Sequence, residues 1–155
     1  MLSLLPQLNE KKTASKVRFY LRHDFDKVLL ALGKSPDYVK SYVKSPVITG
    51  MPKGTGIGNP LENKLIKQID RTSELEVVID LVHLALKRLE QLNPEGAELL
   101  YRCYIHQVSP ELVADTIYRS PSYVHNKLQL ACCQFASCLA DVSHNQIDLR
   151  VWKVY

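Results

Sequence analysis

Apolar positions recur at helical spacing along most of this chain, and capping residues cut that pattern into segments. Around residues 13–33, Val17, Tyr20 and Leu21 form one apolar face with Phe19 beside it, while Lys12, Lys16, Arg18 and Arg22 mark the wet sides. His23-Asp24 predicts a break there. Asp24 or Asp26 would cap a second segment over residues 25–32, which Gly33 ends. Ser35-Pro36-Asp37 restarts a short amphipathic helix over residues 38–43. Asn59-Pro60, a cap followed by proline at the first helical position, opens the longest periodic segment, residues 61–92. Leu61, Leu65, Ile66 and Ile69 face one way; after an expected kink or interruption at Arg71-Thr72-Ser73, the pattern continues through Leu89. Ordinary core burial is one account of such a stripe. Its length also suits two helices or a partner helix, and Leu75, Val78, Val82 and Leu86 are the expected homodimer contacts.

Asn93-Pro94-Glu95 caps another helix over residues 94–106, with Leu99, Leu100, Cys103 and Tyr104 packing it on the pair of helices C-terminal to it. Residues 109–131 read as that pair, two helices joined by a tight turn. Ser109 caps and Pro110 begins the first; Leu112, Val113, Thr116 and Ile117 form its apolar face, and Ala114 permits close approach. Tyr118-Arg119 makes the turn, Ser120 caps again, and Pro121 opens a helix whose buried stripe is Val124, Leu128, Ala131 and Cys132. That is a helix-turn-helix pattern, in which the second helix offers polar side chains to a major groove. Arg119, Ser120, Ser122, Tyr123, His125, Asn126, Lys127 and Gln129 are the candidate DNA-binding residues. Amides pair with adenine, and arginine or lysine with guanine or phosphate. The second helix is expected to continue through Cys133, Phe135 and Leu139. The tail, residues 147–155, alternates apolar and polar as a strand does, with Trp152 as its expected anchor.

Composition changes this picture at one place. Residues 45–60, SPVITGMPKGTGIGNP, hold four of the six glycines and three of the eight prolines, which makes a linker or ordered loop. Gly54, Gly56 and Gly58 miss both the P-loop ending and the dinucleotide fingerprint. The domain expectation is a basic helical N-terminal region (1–44), a Gly/Pro linker (45–60), a long helix or helix pair (61–92), and a helix-turn-helix domain with its tail (93–155). The fold class is all-α.

Charge is unevenly placed. Residues 1–53 hold ten Lys/Arg against four Asp/Glu, whereas residues 109–155 hold four against four. The basic segment is therefore not the helix-turn-helix. Since phosphate neutralisation supplies much of the affinity for DNA, Lys11, Lys12, Lys16 and Arg18 are expected phosphate contacts, or else a solvated surface. No apolar run is long enough to cross a bilayer, and the N-terminus is too soon charged for a signal peptide. Four cysteines without framework spacing suit a reducing cytosol.

Catalytic chemistry is thin. Cys103 and His106 stand one helical turn apart and Cys132, Cys133 and Cys138 are near in sequence, but no zinc spacing results. Buried cysteine is the better account, so no metal or other cofactor is expected. No nucleophile elbow, HExxH or paired-carboxylate signature occurs, and an enzyme is not expected.

The helix-turn-helix register is similar to region four of bacterial sigma factors, with Ser109, Val113, Ala114, Ile117, Ser120 and Val124 in matching places. More widely, KKTxxxVRxxL near the start, SPVITGMPKGTGIGNPLENKLIKQID, and this helix-turn-helix together resemble the ArpU (autolysin regulatory protein) family. The resemblance implies a phage or prophage regulator of late packaging and lysis genes, acting in the cytoplasm of a bacterial host. Double-stranded DNA and a second copy are the expected partners, with no membrane. A protein-interaction module contacting RNA polymerase or packaging machinery is the alternative.

Overall fold

A four-residue spacing dominates the first helical stretch: Thr13, Val17, Leu21, Phe25 and Leu29 are all buried. An α-helix turns in 3.6 residues, so such a stripe drifts around its surface unless the helix is locally widened. The computed structural model, which describes residues 5–42 and 60–154 (without the side chains of 60–70), shows that widening. Helix α1 (Glu10–Phe19) passes through a π-helical turn, Tyr20–Asp24, into α2 (Phe25–Ala31). The expected break at His23-Asp24 is thus a π turn, and neither Asp24 nor Asp26 caps a new helix, because the backbone never leaves the helical region. Asn9 starts α1 by accepting from the Lys12 amide. Gly33, at φ +63°, ends α2 while the Lys34 amide bonds back to the Leu29 carbonyl. A short α3 (Tyr38–Ser41) comes next; residues 45–59 of the expected linker lie outside the described residues, and its last, Pro60, begins the next helix.

Helix α4 (Pro60–Leu92) runs 33 residues without interruption at Arg71-Thr72-Ser73. Ile79, Val82, His83, Ala85, Leu86 and Leu89 are its buried positions among the described side chains. This corrects two of the four expected dimer contacts. Val82 and Leu86 belong to the protomer's own core, and Leu75 and Val78 are half-buried. The stripe is covered by α2, α3, α5 and α7 of the same chain.

Asn93 separates α4 from α5 (Pro94–Leu100), which widens into a second π turn, Tyr101–Ile105, packed against the first. Helices α6 (Pro110–Thr116) and α7 (Pro121–Val142) complete the helical part, with Ser109 accepting from the Leu112 amide and Ser120 from the Tyr123 amide. Between them Tyr118 takes the left-handed conformation, φ +57°, where a glycine is usual; at 94 % exposure its ring meets no obstruction. Two capped helices joined by a short turn stand where the sequence placed them.

Helix α7 is the spine of the molecule. α1, α4, α5 and α6 all pack on it, because Ala131, Cys132, Phe135, Ala136, Leu139 and Ala140 bury most of its second half. The described N-terminal helices thus share one core with the C-terminal ones. The amphipathic α1 has an apolar face that it cannot bury alone, and α7 supplies the surface. The joint is reinforced by Lys40 to Glu98 at 3.0 Å and by the Tyr101 hydroxyl donating to Asp37 at 3.1 Å. The C-terminal tail docks on its own chain through one antiparallel bridge, Leu8 with Trp152, and forms no strand among the described residues. Leu149, 6 % exposed, anchors it; Trp152 stays 43 % exposed, since the bridge holds its backbone rather than its ring.

The four cysteines are free and buried. Burial first, with smaller charge effects, raises the Cys103 thiol to about 11 and Cys132 to about 12. Among the described residues no group of side chains could hold a metal, and no helix is long and apolar enough to cross a membrane.

Candidate nucleic-acid interface

The first half of α7 presents three different surfaces. Val124 and Leu128 face the core. Opposite them, Ser122 and Asn126 are exposed, and neither side chain has a hydrogen-bond partner among the described residues. An amide in that position keeps both its donor and its acceptor for a base edge.

On one side of this outward strip, the Tyr123 ring lies between two cations, the Arg119 guanidinium at 5.0 Å and the Lys127 ammonium at 5.6 Å from its centroid. Its hydroxyl donates to Glu95 at 2.6 Å, and that bond to a carboxylate raises the phenol's pKa. Arg119, Tyr123 and Lys127 are therefore a pre-organised cluster on the α5 side. Ser120 is occupied as a cap, its oxygen accepting from the Tyr123 amide at 3.2 Å.

On the other side lies α1. A cleft of about 300 Å³ between α1 and α7 is lined by Lys11, Ser15 and Arg18 from α1, His125 and Gln129 from α7, and Tyr104. Gln129 donates to Glu10 at 3.4 Å, and an adjoining cleft adds Lys153 from the tail. His125 stands 3.9 Å from Glu111. Lys11 and Arg18 have no carboxylate within 4 Å among the described residues, so their charge is not neutralised internally. Lys12 and Lys16 fall outside this cleft; Lys16 instead helps to lower the pKa of Asp148, whose largest stabilisation is its bond to Arg150.

The structure thus divides the eight candidate residues. His125 and Gln129 line a cationic cleft, Ser122 and Asn126 face outward, Arg119, Tyr123 and Lys127 sit apart beside Glu95, and Ser120 serves as the cap. Of the N-terminal cations, Lys11 and Arg18 join α7 and two others do not. Ser15 was missed, although its spacing with them (i, i+4, i+7) places all three on one helical face. No family model, curated protein or solved structure matches the chain.

Proposed function

We propose that the protein is a DNA-binding transcriptional regulator, and that the first half of α7 enters a major groove while α1 holds the flanking phosphates. The observation that carries this reading is the juxtaposition in the cleft. Unpaired cations of α1 stand beside the exposed polar face of a doubly capped second helix. Phosphate contacts orient a protein on the duplex and base contacts specify the sequence; the two surfaces here divide in that way. Asn126 and Ser122 are the base-edge candidates, with His125 and Gln129 at the rim. Lys11 and Arg18 neutralise backbone charge, as do Arg119 and Lys127 on the far side. The resemblance to the ArpU family makes phage or prophage late genes the proposed targets, in a bacterial cytoplasm, with no catalytic step.

Binding should be measured by fluorescence anisotropy against duplexes from the protein's own genomic neighbourhood and against random sequence. Replacing Lys11 and Arg18 with Ala should weaken both alike and flatten the salt dependence by roughly 0.9 in slope for each lost contact. Asn126→Ala should instead lose about 1–3 kcal/mol at the preferred sequence only. A folded protein that binds no duplex at low salt would sink the reading. The same surface would then be a contact for RNA polymerase or packaging proteins.

A further inference from the structure

Helix α4 carries a second apolar stripe besides the buried one. Val77 is 56 % exposed, Leu84 41 %, and Leu81 is half-buried between them. With Arg88 they match the alternating four- and three-residue spacing of a coiled-coil seam, on a face turned away from Ile79, Val82 and Leu86. Single exposed apolar residues are ordinary; here two stand one heptad apart, with Leu81 between them packed partly on the protomer's own core.

We propose that this outer face of α4 pairs with the same face of a second copy, antiparallel, about a two-fold axis between Leu81 and Leu84. Charge selects both the partner and the direction. Asp80 and Lys87 lie one heptad apart on the same edge of the stripe, and acidic Glu74 and Glu76 precede basic Lys87 and Arg88 along the helix. A parallel pair would set Arg88 on Arg88 within the seam, where each is already paired with Asp141 of its own chain. The antiparallel pair sets Leu81 against Leu84, Val77 against the stem of Arg88, and Asp80 against the second copy's Lys87, each twice by symmetry. The seam also runs into a groove of about 560 Å³ lined by Leu8, Arg88, Leu92 and Cys138, which receives Val77 of the second copy. The pairing stands independently of DNA binding.

Sedimentation equilibrium of the full chain at micromolar concentration tests it. The wild type should be a dimer, and Val77→Glu with Leu84→Glu should be a monomer with unchanged helical circular dichroism. Asp80→Lys or Lys87→Asp alone should weaken dimerisation by about fivefold, and the two together should restore it. A wild-type monomer overturns the proposal. So does a dimer that survives the double glutamate substitution, or charge reversals that do not compensate each other.

Discussion

Gly96 of α5 packs close to Ala131 of α7, and replacing it with alanine sets two known effects against each other. Alanine is the better helix former by about 1 kcal/mol in a helix interior, and by less in a first turn, where Gly96 stands. A Cβ there would lie 2.4 Å from Nδ2 and 2.8 Å from Cγ of Asn93, and 3.0 Å from the Ala131 Cβ of α7. Asn93 is not free to retreat. Its Oδ1 accepts from the Gly96 amide at 3.0 Å, and its Nδ2 donates to Gln134 on α7 at 3.0 Å. Displacing this side chain costs the cap, about 1 kcal/mol, and the interhelical hydrogen bond, about 1 kcal/mol more. Ala131 is fully buried on a helix that four others hold, so overpacking adds about another 1 kcal/mol. Against a propensity gain below about 1 kcal/mol, the net is a loss of about 2 kcal/mol, or about 4–8 °C in Tm for a chain of this size. Urea and thermal unfolding monitored by circular dichroism would measure it. The two residues share one cap, so Gly96→Ala should cost at least about 0.5 kcal/mol less in an Asn93→Ala background. A neutral or stabilising Gly96→Ala in the wild-type background would refute this reasoning.

Two further outcomes are expected from the same packing. With Cys132 raised from 9.0 to about 12, its native thiolate at pH 8 should be about a thousandfold scarcer than that of a free thiol, so an aromatic disulfide reagent should modify it only on unfolding; prompt labelling of Cys132 in the folded protein would contradict its burial. Burial alone would raise the Glu98 carboxyl, but hydrogen bonds from Lys40 and Arg102 outweigh it and hold the group below 4.5. A depressed carboxylate contributes stability above its unfolded pKa and loses it as pH falls through the folded value. Tm should therefore decline below about pH 4.5 with a small contribution from Glu98, well under about 1 kcal/mol because the side chain is 43 % exposed, and Glu98→Gln should remove that contribution. A steeper acid decline in Glu98→Gln would show the sign to be wrong.

The two helices α6 and α7 were legible because their instructions are local. Ser109-Pro110 and Ser120-Pro121 satisfy the first amides of their own helices, whatever packs above them. Asn93 and Gly33 act the same way at α5 and α2, and the polar set on α7 is fixed by the positions of Val124 and Leu128 one turn apart. Where α6 turns into α7, the local rule pointed to glycine or asparagine, yet exposure let Tyr118 take that conformation at modest cost.

What sequence periodicity cannot supply is the direction in which an apolar face points. Helix α4 has two stripes, and only the positions of α2, α5 and α7 decide that Val82 and Leu86 are core while Val77 and Leu84 remain outside. The same holds for α1. The spacing of Lys11, Ser15 and Arg18 is visible in the chain, but not that α1 would lie on α7, far away in sequence, with that face toward His125 and Gln129. The π turns fall between these cases. A four-residue repeat at Thr13, Val17, Leu21, Phe25 and Leu29 strains against 3.6, and the widening keeps one buried face because α7 and α4 demand it. Caps and turns depend on backbone groups within a few residues, so the sequence determined them by itself. Burial depends on which surfaces meet, and in this chain that was decided by how much apolar area α7 could offer on all its sides at once.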